Sequence, residues 1–417
     1  MVKLPPEWGT EPVPVEKKIL VSIDYFVLWF SLAVGLLVLQ SGGFLKGLST
    51  VEAIIVAVLG SVIGSLMLAS AGGLGSKYGI PTMVSLRGVL GLKGSYIPTV
   101  FNVLQLIGWA SFEIWIMASS ALLITGPFLS TYTIYFLILI FAIVCVLLSI
   151  SGPLIVIRQW LEKFAIWFTC GTAIFITCMV LLNFPNLLSF PGDGSISLPI
   201  ALDIVIAMPI SWWPLIADYN RFSKSEKGAF LGTFTGYTFA NSWFYILGAL
   251  LVLAYAQSII SAIVSITFGG LALIILLVDE TDNGFADIYS GAVSIQNIQP
   301  RFKQWKLVVI IAVVSTLLAT LIPQYGESAY EPFLISVGAI FVPLLGVLFM
   351  DFYIIKRKQY SLEEFYSSAK GFKINPLISW FIGIVVYFVF YNYTTFGSSI
   401  PSFIVSAFIL YVCEKAT

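Results

Sequence analysis

The chain has 417 residues, 59% of them hydrophobic and 10% charged, and its 21 basic residues balance its 21 acidic ones. A soluble globular chain carries about 25% charged residues, so this composition excludes a soluble domain and indicates an all-α polytopic membrane protein. Zero net charge gives no reason to expect a nucleic-acid partner, and the lack of histidine excludes His-based metal sites, His–carboxylate catalysis and His proton relays.

Windows of about twenty apolar residues predict twelve spans. They centre on 24–45, 51–73, 96–124, 132–152, 162–183, 199–219, 229–256, 268–296, 305–323, 329–355, 374–392 and 398–413. With the N-terminus placed in the cytoplasm, twenty of the 21 Lys and Arg residues fall inside, and Lys46 alone falls outside. A miscounted span would scramble that alternation, so both termini are expected on the cytoplasmic side of the plasma membrane. Met1 to Lys18 is polar and charged, and no cleavable signal is expected there. The four cysteines, Cys145, Cys170, Cys178 and Cys413, lie in apolar segments without metal-ligand spacing and read as small core hydrophobes.

In chain order, span one runs from Asp24 through Trp29 and Ser31 to Gly35, where an unwound turn would offer carbonyls to a cation. The loop from Gly75 to Tyr96 is glycine-rich and basic but lacks phosphate-loop spacing, so it reads as a structured turn. Span three carries Gln105, Trp109 and Glu113; the last two are four residues apart and share a helix face. An aromatic plane beside an acid suits a flat, nitrogen-bearing ligand. Span six holds Pro209 and Pro214 around Ser211, Trp212 and Trp213, and two missing backbone donors predict a break. The tryptophans read either as interfacial belt residues or as cavity walls.

Span eight carries Asp279-Glu280-Thr281-Asp282-Asn283, followed by Asp287. Either the helix stops at Val278 and these acids form a solvated loop, or they line a cavity at membrane depth. An acid at the bilayer centre costs roughly 2.5–3.5 kcal/mol, so four would need a cation, a cationic ligand or water to face. Spans one and six are interrupted five helices apart, the pattern of an inverted-repeat transporter with its site at the midplane. The expected organisation is a segment 1–20, repeats over 21–190 and 191–355, a loop 356–373 and two accessory helices in 374–417.

Four stretches carry a family resemblance: Gly75-Ser76-Lys77-x-Gly79 to Lys93-Gly94-Ser95, Gly108-Trp109, Asp218-Tyr219-Asn220-Arg221-Phe222, and Thr281 to Ser290. On these the chain resembles the nucleobase:cation symporter-1 family, the cytosine–purine permeases. Its Pro209–Trp212 and Phe285–Ser290 wording is similar to the branch associated with hydroxymethylpyrimidine. The resemblance implies a LeuT-like five-plus-five inverted repeat, broken helices one and six, two added helices, and transport driven by Na⁺ or H⁺ without an organic cofactor. It implies that Trp109 stacks the ring, that Ser211 and Trp212 close over its other face, and that Glu113, Asp287, Gln105 and Asn283 read its edge. It also implies a Na⁺ site from Thr281 and Asp282 opposite carbonyls of Ser31 and Val34, and it favours the cavity reading of span eight.

Glu113 stands where many members have glutamine. An ionised glutamate only accepts, and a protonated one donates and accepts; Glu113 together with Asp287 therefore favours an edge rich in N–H donors, as in a 4-aminopyrimidine, or the same acids bind the coupling proton instead. The expected function is a monomeric cation symporter importing a planar heterocycle such as cytosine, a purine or hydroxymethylpyrimidine. The rivals are an amino-acid or polyamine transporter of the same fold and an ion channel. The lack of nucleophile–base pairs argues against an enzyme.

Overall fold

The computed structural model describes residues 8–126, 132–322, 329–366 and 371–416, so Lys3 and Lys370 of the charge argument lie outside the described residues. Within them, regular structure is helical apart from one isolated bridge between Leu20 and Ser223. Hydrocarbon offers no hydrogen bonds, so a single crossing segment has to satisfy its backbone internally.

Among the described residues eight helical stretches are long and apolar enough to cross a membrane: Thr50–Tyr78, Tyr96–Thr125, Thr133–Ser151, Pro153–Asn183, Leu198–Asn220, Glu226–Tyr255, Tyr330–Ile355 and Ile374–Tyr393. These are spans two to seven, ten and eleven. Span one is a pair, Ser22–Leu32 and Leu36–Gly47, bent by 59°. Span eight, Gly269–Ile298, span nine, Gln304–Ala319, and span twelve, Ser399–Ala416, complete the expected set. Span eight continues as one helix through all of its acids. The loop reading of that stretch is therefore excluded.

The two breaks have local causes. In span one Ala33 ends the first half, and Gly35 is fully extended, with φ −164° and ψ 160°. In span six the helix runs through Pro209 to Ser211, and a single 3₁₀ turn, Trp213–Leu215, carries Pro214 before Ile216–Asn220 resumes. Pro214 sits where its missing N–H costs least, at the start of a new turn.

Eleven of the twelve spans sort into three groups, and span five packs against spans one and eight. Spans one, two, six and seven pack on one another, as do spans three, four, eight and nine. Spans ten, eleven and twelve pack together beside them. An offset of five converts one, two, three and four into six, seven, eight and nine, which is the five-plus-five repeat with two added helices. The first two groups meet where broken span one faces spans three and eight.

The N-terminal segment from Trp8 to Leu20 lies at one face, which the chain seals. The Val13 N–H donates to the Gly79 carbonyl, and Leu20 pairs with Phe222 and Lys224. Arg221 donates to the Gly9 carbonyl and to the Tyr289 hydroxyl, each at 2.9 Å. Arg87 donates to Asn297 and to the Phe365 carbonyl. The Asp218–Phe222 stretch thus ties the N-terminal segment to span eight.

Candidate functional site

Span eight explains the site's polarity. A helix turns about 100° per residue, so Asp282, Ala286, Asp279, Asn283, Asp287 and Glu280 fall in that order across about 160° of its circumference. Thr281 falls on the opposite side. All five of Asp279, Glu280, Asp282, Asn283 and Asp287 are buried, at 2% exposure or less.

At one edge of this arc the Asp279 carboxylate accepts from the Thr169 hydroxyl of span five (2.7 Å) and the Ser31 hydroxyl of span one (3.3 Å). Asp282 lies beside the same Ser31 hydroxyl. At the other edge Glu280 accepts from the Leu36 N–H, the first amide of span one's second half, at 2.7 Å. A Cβ on Gly35 would stand 2.9 Å from the Asn283 amide nitrogen and 3.2 Å from both Glu280 oxygens. Glycine is what lets the broken strand lie this close to span eight.

Glu113 of span three is within hydrogen-bonding reach of Glu280. As ionised groups neither could donate to the other. Oxygens of Glu113, Asp279, Glu280 and Asn283, and both of Asp282, meet no donor. Among the described residues no lysine or arginine pairs with any acid of span eight or with Glu113. The arrangement can bind positive charge or N–H donors.

Aromatic rings flank these acids. Trp109 packs edge-on to Tyr330 (6.0 Å between centroids) and Phe333 (5.1 Å) of span ten, and Phe112 touches the same two rings. A Cβ on Gly108 would meet the Phe333 ring at 2.6 Å, so the Gly-Trp pair is needed to seat that ring. Trp212 stands edge-on to Trp29 (6.4 Å) at the break of span six. Trp213 turns away and donates to the Phe341 carbonyl. Tyr330 bonds to the Ser41 hydroxyl (3.1 Å) and the Leu37 carbonyl (3.4 Å), joining span ten to span one.

The expected residues fall as follows. Trp109, Glu113, Trp212, Asn283 and Asp287 all lie on elements that face the broken helices. Gln105 donates to Asn102 at 2.7 Å and leaves its carbonyl oxygen without a donor. Ser211 spends its proton on the Met208 carbonyl of its own helix. Asp282 lies near the Ser31 hydroxyl, and Val34 lies at the break of span one.

Thr281 is corrected. Its hydroxyl donates to the Val278 carbonyl and its own carbonyl faces Cys145 of span four. Two residues of helix are about 200°, which turns Thr281 away and presents Asp279 to Ser31. Sequence reasoning missed Asp279, Glu280, Thr169, Trp29, Tyr330 and Phe333 as site residues. The stripe of acids was visible; the direction it faces was not. Among the described residues no three acid or cysteine side chains converge as a metal set.

The sequence profile of the family described as "Permease for cytosine/purines, uracil, thiamine, allantoin" matches residues 12–411. This chain belongs to that permease family. It is a secondary transporter of nucleobase-like heterocycles, not an enzyme. The permease is 24% identical over 412 residues to the purine-uracil permease NCS1 of Arabidopsis thaliana, covering 87% of this chain and 67% of the relative. It is 23% identical over 348 residues to the cytosine permease of Escherichia coli, covering 80% and 77%. Its fold matches Mhp1, a nucleobase-cation-symport-1 family transporter solved in a closed conformation with bromovinylhydantoin bound. The TM-score is 0.85 at 17% identity, over 99% of this chain and 95% of that one.

Proposed function

We propose that this permease imports a flat ring with a donor-rich edge, of the aminopyrimidine kind, together with a cation. One observation carries the reading: five acids, Glu113 among them, are buried on spans three and eight without a basic partner among the described residues, and two of them bond to span one at its break. The ring stacks between those tryptophans. Glu113 and Asp287 accept from its N–H groups, and the open oxygens of Gln105 and Asn283 complete the edge. Tyr330 and Phe333 close over it from span ten. The cytosine and purine-uracil permeases among its relatives support this cargo class.

The coupling cation, Na⁺ or H⁺, is taken by Asp279 and Asp282 with the Ser31 and Thr169 hydroxyls. The unpartnered oxygens of Asp279 and Asp282 fit a hard cation, which binds through oxygen. Once bound, it neutralises charge that the bilayer otherwise penalises. The protein works as a monomer in the plasma membrane, with both termini in the cytoplasm.

The test is a thermal-shift panel on purified protein with aminopyrimidines, lactam pyrimidines, purines and aliphatic amines, with and without Na⁺. Ligands that bind only the folded state raise its melting temperature. Aminopyrimidines should give the largest shifts. A panel in which only aliphatic amines stabilise would defeat the proposal.

A further inference from the structure

The second half of span one begins inside the membrane. Helix starts leave backbone N–H groups unpaired and carry a partial positive charge, which makes them anion sites. In transporters built on broken helices, such a start commonly faces an anionic group of the cargo. Here that position is already filled. Glu280, fully buried, reaches across from span eight and accepts the Leu36 N–H at 2.7 Å. Its carboxylate packs on Gly35, and Glu113 lies beside it.

We propose that Glu280 is a specificity-determining residue: a built-in carboxylate that occupies the anion position at the broken helix and so excludes cargo bearing an anionic substituent. This rests on the reading of the cavity as a heterocycle site. A ligand carboxylate would have to displace Glu280 from Leu36 or sit against it and Glu113. Like charges brought together in this way cost several kcal/mol. The second oxygen of Glu280 meets no donor, which leaves it to accept an N–H of the cargo. Removing the carboxylate leaves the Leu36 N–H for a ligand to take.

The experiment measures binding and liposome uptake of matched pairs, uracil with orotate and cytosine with cytosine-5-carboxylate, on full-length protein. The readout is the ratio of carboxylated to parent ring, which general damage does not move. Wild type should reject the carboxylated member of the pair. Glu280→Ala should shift the ratio toward it by at least about tenfold, Glu280→Gln by less because its amide oxygen still caps Leu36, and Glu113→Gln least.

Wild type that binds orotate as well as uracil overturns the inference, and that comparison needs no variant. So does an unchanged ratio in both Glu280 variants, or an equal shift in Glu113→Gln. Wild type that binds parent rings while the Glu280 ratio stays fixed leaves the cargo reading standing and removes this inference alone. Wild type that binds no ring removes both.

Discussion

Trp109 and Glu113 share one face of span three, and each supports a separate prediction. Trp109→Ala removes a stacking surface worth about 1–3 kcal/mol per base, so apparent affinity should fall roughly ten- to a hundredfold for every ring, measured by uptake competition. Glu113→Gln removes one acceptor and adds a donor. It should weaken amino-bearing rings more than lactams, by about tenfold, the worth of one charge-assisted hydrogen bond. Equal loss across both classes would remove the edge-reading role. Gly35→Ala places a methyl against Asn283 and Glu280. Overpacking of this kind costs about 1–3 kcal/mol, so the melting temperature and uptake should both drop. Trp109 and Glu113 were legible because a deep acid beside a tryptophan is unusual in an apolar span. Glu280 was not, because its role depends on an amide 244 positions away in the chain.

At the scale of elements, two interruptions and the proposed closure by span ten bear on the mechanics. Prolines announced the break in span six. The break in span one was readable only as a small-residue stretch, since Gly35 adopts an extended backbone open to any residue. What demands glycine there is the neighbour, not the dihedral. Span ten was read as an ordinary helix, yet its first turns carry Tyr330 and Phe333 over Trp109. Tyr330→Phe keeps the ring and loses the bonds to Ser41 and Leu37. A lost hydrogen bond of this kind is worth about 1 kcal/mol, so ligand dissociation should quicken about fivefold while ring selectivity stays the same. Stopped-flow displacement of bound ligand measures it, and an unchanged off-rate would show that span ten is not the lid.

At the scale of the molecule, basic residues such as Lys18, Arg87 and Arg221 lie at the face that carries the N-terminal segment. Arg87 and Arg221 are buried there, in hydrogen bonds that staple the N-terminal segment and the loops to spans six and eight. Orientation follows from that charge. Cysteines placed at Lys46 and at Lys306 should label from opposite sides of intact cells, Lys46→Cys from outside and Lys306→Cys only after permeabilisation. Labelling of both from outside would break the topology.

The sequence by itself determined the membrane class, the twelve helical segments, the two broken spans and the presence of tryptophans and acids in apolar spans. Each of these is written in local terms, as apolar length, proline spacing or the cost of a buried charge. Only the tertiary structure decided which acid serves which partner. A helix repeats its faces every few residues, so a change of two positions turns a side chain to the opposite wall. The chain alone does not say which neighbour waits there: it placed Thr281 opposite Ser31, where the fold puts Asp279, and it left Glu280 unassigned until span one was seen folded against it.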